Sequence, residues 1–570
     1  MMANRLVDLL FERRGITQND YFDMEKTVTG KLSGMDGVVS ALHDIHGRAD
    51  SRHTITVAPD FDMDGIMAGS LLTAGLAELG FPVEIFIPNA SAGYGLDASE
   101  ADRLLFEHPN TRWVITCDMG ISARAGIEHL VSRGVEVIVT DHHMENASTS
   151  SRDLARAVVD PCGIGETYGL SGICGATVAW RVLSAYVAAH GADIGVRDRI
   201  ERLRALAGIG TVSDLMPLVH DNRYLVRDSV SLLRLVWANP SPWFSDSISG
   251  SPLYRGVFKG LSRALSAFDE EYPFGDKDAI DEKFIAFSLA PTFNAAKRMD
   301  MDIGHAFNVF LGTDAARDRG MEALMSANRA RKELVNGAME TIEDHRVNPC
   351  AYAVNAPSGI LGLIAAKLSD ASGLPCVCVR ELPDGSYTGS GRSPEWYPFQ
   401  TRTRDLGVRA AGHEQAFGVR FASREELERQ MDLVAADAVM VAGQLPADTR
   451  PDADVDFVIG GTDTADVSFD IPMLAEFIEL MDEFRPFGQG WPAPTARMYL
   501  DPGEYRMRRM GPELQHLSVS GPNGLCCIMW NAGALADEIA GARLSCTGEL
   551  SLDEFAGTTS VQMIGSVSAC

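Results

Sequence analysis

Between Thr54 and Asp160 short β-branched apolar runs alternate with helix-like segments: TITVAP, then Ile66–Leu79, VEIFIP, Ala98–Phe106, WVITCD, Ala123–Ser132, VEVIVTD and ARAVVD. This alternation predicts a doubly wound parallel sheet, because parallel strands need a crossover helix between them. In such sheets ligands sit beyond the carboxyl ends of the strands. Four of the expected strands end in acid or histidine: Asp60, Asp62 and Asp64 after the first, then Asp118, then Asp141-His142-His143, then Asp160. Four chemically loaded strand ends on one edge predict a site there.

The segment Pro59 to Gly65, PDFDMDG, carries its three carboxylates at alternate positions. Carboxylates this close repel one another and raise each other's pKa unless a cation neutralises them. Taken singly, each acid reads as a strand-end cap or turn former; taken together, they call for a compensating charge. Asp62, Asp64, Asp118, His142 and Asp214 offer mixed carboxylate and imidazole ligands, enough for two divalent ions sharing one carboxylate, for which Asp118 is the candidate. Such an oxygen-rich set suits Mn2+ or Mg2+ better than zinc. Two such ions suit hydrolysis of a phosphoester. His143 is placed to donate to a phosphate oxygen as negative charge develops. Asp160 has a weaker claim, as a sheet-edge residue.

With 570 residues the chain is too long for one hydrophobic core. No apolar run reaches the roughly 18 residues of a membrane span, and the N-terminal MMANRLVDLLFERRG lacks the layout of a signal peptide, so a cytoplasmic protein with no membrane partner is expected. The ten cysteines contain no CxxC pair, and the spacing of Cys376/Cys378 and Cys526/Cys527 predicts reduced thiols on buried strands. A net charge of -28 argues against a polyanionic partner on average, but not against one channel lined with cations. Eight of the 50 basic residues are lysines, so arginine would make most phosphate contacts.

Beyond Leu170 the pattern is helical to about Leu235, residues 240–252 read as a loop, and a long polar helix is expected from Ala315 to about Arg346. A second α/β unit begins near Tyr352, where AYAVNA and PCVCVREL flank SGILGLIAAKL, whose Gly359 and Gly362 would allow a close helix approach. There Ser390, Arg392 and Ser393 are expected in a glycine-containing loop whose amides face an anion, with His413 after Gly412 in another tight turn. From about Arg450 short alternating segments such as HLSVSG and LCCIMWNAG suit a small β-barrel, with Tyr505, Arg506, Arg508, Arg509 and Trp530 as candidate strand contacts.

PDFDMDG, CDMG, TDHH and GTVSD resemble, in order, the four motifs of the DHH phosphoesterases. Within them the chain is most similar to the RecJ family of single-stranded-DNA exonucleases. PNASAGYGL at 88–96, LSGICGATVAWRVL at 170–183, APTFNAAKRM at 290–299, NRARKEL at 328–334, GSGRSP at 389–394, AGHEQAFG at 411–418 and PFGQGWPAP at 486–494 extend the resemblance through most of the chain. It implies an N-terminal extension over 1–50, a doubly wound DHH domain over 51–235, a helical connector over 236–346, a smaller α/β DHH-associated domain over 347–449 and an OB-type barrel over 450–570. It implies that Asp60, Asp62, Asp64, Asp118, His142 and Asp214 hold two Mn2+ or Mg2+ ions, with Asp118, His142 and His143 catalytic. Asn294, Arg298, Ser390, Arg392, Ser393, Gly412 and His413 would contact the nucleic acid. The implied activity is 5′→3′ hydrolysis of single-stranded DNA to mononucleotides in repair and recombination, by a monomer with a single-strand-binding protein or helicase as the expected partner. The alternatives are a small-substrate DHH phosphoesterase acting on short oligoribonucleotides, phosphoadenosine phosphate or cyclic dinucleotides, and a non-catalytic replication scaffold. The chain departs from the RecJ pattern at Thr292, where that family commonly has arginine, at Lys297, where it has glycine, and at Ala411.

Overall fold

The computed structural model describes all residues except 1, 29, 90–94, 241–248, 445–454, 460–470, 522–523, 531, 556–557 and 570. Much of PNASAGYGL and of the 240–252 loop therefore lies outside the described residues. The chain forms two compact units, one made of Val28–Pro217 and Asp221–Leu445, the other of Met1–Thr27, Leu218–His220 and Pro446–Cys570.

The larger unit contains the expected parallel sheet. Strands β1 (Thr54–Pro59), β2 (Val83–Ile85), β3 (Thr111–Cys117), β4 (Glu136–Thr140) and β5 (Ala157–Val159) pair in the order β2-β1-β3-β4-β5, every pair parallel. In this order the winding reverses between β1 and β3, where a crevice opens beyond the strand ends. The residues following β1 and β3 are Asp60 to Asp64 and Asp118, and β4 on the other side of β3 delivers Asp141-His142-His143. Asp160 follows β5, one strand spacing further out. Helix Met63–Glu78 is buried along nearly its whole length, as its sequence, apolar on all sides, requires. Helices Gly175–His190, Ile194–Arg202, Arg204–Ser213 and Asp221–Ala238 occupy the stretch expected to be helical.

The polar connector is a 27-residue helix, Asp314–Glu340. A second sheet follows, ordered β10-β11-β9-β8-β7-β6, with β6 (Arg346–Asn348), β7 (Ala351–Ala353), β8 (Cys376–Glu381), β9 (Tyr387–Arg392), β10 (Ala410–Gly412) and β11 (Ala416–Phe421). Helix Ser358–Ser372 joins the parallel pair β7 and β8, and Cys376 and Cys378 are buried free thiols on β8.

The smaller unit holds a sheet ordered β12-β13-β17-β18-β16-β15-β14, formed by β12 (Phe457–Ile459), β13 (Thr495–Leu500), β14 (Arg506–Met510), β15 (His516–Ser520), β16 (Cys526–Met529), β17 (Leu544–Phe555) and β18 (Thr558–Ala569). β13 pairs with β17 and β14 with β15, yet the two are separated in sequence by residues 501–505 alone. A short turn thus carries the chain from one side of the sheet order to the other, and the parallel β16–β18 pair completes an OB-type pattern. Leu6, Leu10, Phe11 and Tyr21 from the first two helices share this unit's core with Phe477 and Trp491.

Candidate metal centre

Each acid of the cluster is placed by local backbone chemistry. Asp62 is the N-cap of helix Met63–Glu78, its carboxylate accepting the Gly65 N–H at 3.1 Å. Asp64, in the first turn of the same helix, accepts the N–H groups of Gly175 at 2.6 Å and Ala176 at 3.1 Å. These are the orphan donors of helix Gly175–His190, whose own N-cap residue Cys174 offers no side-chain bond, so Asp64 acts as its cap. Asp118 leaves β3 at φ +60°, uncommon for a residue with a Cβ and typical of sites that hold strain. Asp214 closes helix Arg204–Ser213. The approach is tight: a Cβ on Gly210 would lie 2.1 Å from Asp64 Oδ1, and one on Gly175 2.5 Å from the Asp118 Cβ.

His142 Nε2 lies 3.0 Å from Asp118 Oδ1, 3.5 Å from Asp214 Oδ2 and 3.9 Å from Asp64 Oδ2, while the ring also bonds the Ile173 backbone. Burial holds its pKa below the usual value against the pull of Asp64, so the ring is a neutral imidazole ready to ligate. His143 is different. Burial disfavours its charge, but Asp141 Oδ1 sits 2.8 Å from Nδ1, and the His143 pKa rises to about 9. Asp141 is itself fully buried and takes the N–H groups of Ile121 and His142, and with His143 beside it the carboxyl stays below the usual range despite that burial.

For Asp60, Asp62 and Asp214 the pull of His143 is outweighed by burial and by neighbouring acids. Burial, then Asp62, pushes Asp60 well above the ordinary range; burial, then Asp64, raises Asp62 and pushes Asp118 well above that range. Asp214 is raised to about 8 by burial, Asp64 and Asp62. Asp60 Oδ1 and Asp118 Oδ1 are buried with no hydrogen-bond partner among the described residues. Three groups bring their donor atoms within 4.8 Å of one another: Asp60, Asp62 and Asp118; Asp64, His142 and Asp214; and Asp118, His142 and His143. Buried carboxylates that repel one another, orphaned oxygens and a neutral imidazole form a donor set that fits hard divalent cations, with Asp118 common to two groups. Asp160 belongs to none of these groups; its Oδ1 accepts the Cys162 N–H at 2.8 Å.

The expected nucleic-acid contacts divide. Asn294 accepts the Met63 N–H at 2.8 Å, bracing the loop that carries the acids. Arg298, half-buried, donates to the Gly359 carbonyl at 3.3 Å. Lys297 lies 4.4 Å from the Phe61 ring centroid, in the field of Asp60. Ser390 and Arg392 are not in a loop. They lie on β9, bonded to β8 on one side and β11 on the other, so their amides serve the ladder and do not face an anion. The glycines of GSGR are packing residues, since a Cβ on Gly389 would lie 2.0 Å from the Cys378 carbonyl oxygen and one on Gly391 2.2 Å from the Phe417 ring. The Ser393 hydroxyl is buried and bonds the Tyr397 carbonyl at 2.6 Å. Gly412, at φ +126°, ends β10, and the His413 N–H donates to Ala416 across the expected turn. His413 and His143 line one cavity of about 390 Å³, with Gly120, Ser122 and Met144. In the barrel unit Trp530 is 59% exposed, while Tyr505 and Arg509 bond backbone carbonyls. Sequence reasoning missed Asp141 as the residue that orients and charges His143; its place in the TDHH run was the available signal.

The fold and this site define a class, proteins built on the DHH domain: residues 54–208 match the family described as "DHH family, N-terminal domain", and residues 466–565 match the "RecJ OB domain". The chain carries both matches, and proteins named RecJ resemble it over most of its length. A single-stranded-DNA-specific exonuclease RecJ from Salmonella typhimurium is 26% identical over 98% of this chain and 95% of that protein. The protein of that name from Thermus thermophilus is 27% identical over 85% of this chain and 64% of its own. The crystal structure of RecJ in complex with Mn2+ from Thermus thermophilus shares the fold, with a TM-score of 0.69 and 23% identity over 99% of this chain and 75% of that one.

Proposed function

We propose that the protein is a metal-dependent exonuclease that hydrolyses single-stranded DNA from the 5′ end to mononucleotides. The observation that carries this reading is the pair of donor groups, Asp60, Asp62 and Asp118 on one side and Asp64, His142 and Asp214 on the other, brought together by the 3.0 Å approach of His142 Nε2 to Asp118 Oδ1. Asp60, Asp62 and Asp118 would hold one ion and Asp64, His142 and Asp214 the other, consistent with solved relatives described as bound to manganese or magnesium. Two Mn2+ or Mg2+ ions there supply Lewis acidity toward the phosphoryl oxygens and generate a nucleophile from water at neutral pH. Asp62 and Asp64 present their carboxylates from adjacent backbone caps. His142 stays neutral and offers its Nε2 lone pair to an ion. His143, protonated through Asp141, supplies a hydrogen bond and positive charge to the phosphate as charge accumulates on oxygen. Arg298, Arg392, Ser390 and His413 would hold the strand, with the domain boundaries expected from the sequence. The substrate class and the repair role follow the relatives named single-stranded-DNA-specific exonucleases. A cytoplasmic monomer recruited by a single-strand-binding protein or helicase fits this reading.

A time course on 5′- and 3′-labelled single strands, DNA and RNA, with Mn2+, Mg2+ or chelator, tests it. Metal-dependent early release of 5′-labelled mononucleotide from DNA is expected; early loss of the 3′ label would reverse the polarity. Asp118→Asn and His142→Ala should each lower kcat by about 10³-fold or more, since each forfeits several kcal/mol of metal assistance. Full activity in the pair combined would rule the site out.

A further inference from the structure

Arg298, Arg331 and Arg392 are half-buried, and none has a carboxylate ion-pair partner among the described residues. They are close enough that Arg331 and Arg392 both depress the Arg298 pKa, which burial already brings down to about 10. Arg331 was not among the residues expected from sequence, yet it is held with care. Its Nε and Nη2 donate to Asn328 Oδ1 at 3.1 and 2.8 Å, Asn328 Nδ2 donates to Thr292 Oγ1 at 2.8 Å, and Thr292 donates to the Ser288 carbonyl at 2.8 Å. Asn328 and Thr292 are both buried, so this relay fixes Arg331 from helix Ala290–Arg298, which carries Arg298 at its end. A Cβ on Gly359 would lie 2.2 Å from the Arg298 carbonyl oxygen, so the N-terminus of helix Ser358–Ser372, which has no side-chain cap, is seated against the same group.

The positive charge continues outward along the connector. Lys332 lies in the field of Arg331 and has its Nζ 5.6 Å from the centroid of the Tyr272 ring, which is 54% exposed. Glu271, the neighbouring acid, is paired with Arg329 at 2.6 Å, and Lys332 has no ion pair among the described residues. In a chain of net charge -28, Arg331, with no acid acting on it among the described residues, and Lys332, which feels Glu271 but makes no ion pair with it, lie beside an exposed aromatic ring and are complementary to a polyanion with stacking faces.

We propose that Arg331, Lys332 and Tyr272 carry the single strand beyond the nucleotide held at the acidic cluster, the two cations taking backbone phosphates and the tyrosine ring stacking on a base. This surface rests on the exonuclease reading above. Steady-state cleavage of (dT)20 with Mn2+ over a salt series tests it in the full-length protein. Combining Arg331→Gln with Lys332→Gln should lower kcat/KM on (dT)20 about tenfold through KM and reduce the slope of log(kcat/KM) against log[salt] by about 1.4, that is about 0.7 for each phosphate contact. Tyr272→Ala should cost about fivefold or more. The loss should shrink to about twofold on a trinucleotide, whereas a misfolded variant would lose both substrates alike, and Lys332→Arg should retain wild-type values. Unchanged KM and salt slope in the double variant, with a wild type that cuts (dT)20, would overturn the surface alone. A wild type that fails to cut single strands would remove the proposed function and this surface with it.

Discussion

Asp214 and His143 are displaced from their ordinary pKa values in the same direction for opposite reasons, and each makes a separate prediction. Burial with Asp64 and Asp62 raises Asp214 to about 8, so the folded protein binds that proton more tightly than the unfolded chain. Its contribution to stability is complete below about pH 4 and is lost as the pH climbs through 8. Metal-free protein should therefore lose thermal stability across that interval, and added Mn2+ should restore it increasingly as pH rises. Melting curves in chelator and in Mn2+ at several pH values measure this; parallel curves at every pH would contradict it. His143 is raised to about 9 against its own burial by Asp141. If its proton serves the phosphate, kcat should fall above about pH 9, and Asp141→Asn should move that limb toward the unperturbed value of about 6.5. An unmoved alkaline limb would detach His143 from the chemistry.

Three neighbouring strands and two helix ends decide which of these side chains meet. β1, β3 and β4 are adjacent, so their C-terminal residues share one crevice, while Asp160 on β5 is left bonded to its own turn. Helix Gly175–His190 then supplies amides to Asp64, and helix Arg204–Ser213 brings Asp214 close because Gly210 has no side chain. Gly210→Ala should displace Asp64 and weaken Mn2+ binding about 10- to 100-fold, the range seen when groups that orient metal ligands are lost. Titration of Mn2+ by calorimetry checks this, and unaltered affinity would show that Asp64 can give way. The same elements show how far local sequence could be read. The alternation of runs is enough to forecast a parallel sheet and its loaded edge. The loop assigned to GSGRSP was wrong because glycine has two uses: the φ angles of a turn, or room for a neighbouring strand and ring, as Gly389 and Gly391 provide on β9. Without the partners β8 and Phe417 the two cannot be told apart.

The two compact units draw on distant parts of the chain. Arg14 grips Asp456 with Nε at 2.8 Å and Nη2 at 2.7 Å, and both side chains are buried to about nine-tenths. Asp456 also accepts the Thr495 N–H, tying the start of β13 to the N-terminal helices. Arg14→Ala would strand a buried carboxylate and should destabilise the smaller unit by about 3–5 kcal/mol. Urea unfolding followed through Trp491 fluorescence measures it; a loss under about 1 kcal/mol would mean that water reaches Asp456.

Strand period, carboxylate repulsion and turn residues are local properties, so they were enough to forecast a parallel sheet with an acidic edge and a β-rich C-terminal segment, while the DHH and OB-type assignments came from the resemblance of the motifs. Which acids come within ligating distance of one another, why Asn294 bonds the Met63 amide, and how Arg331 comes to stand beside Arg298 depend on residues far apart in sequence. Those facts follow from strand order and helix approach, which are set by packing across the whole fold.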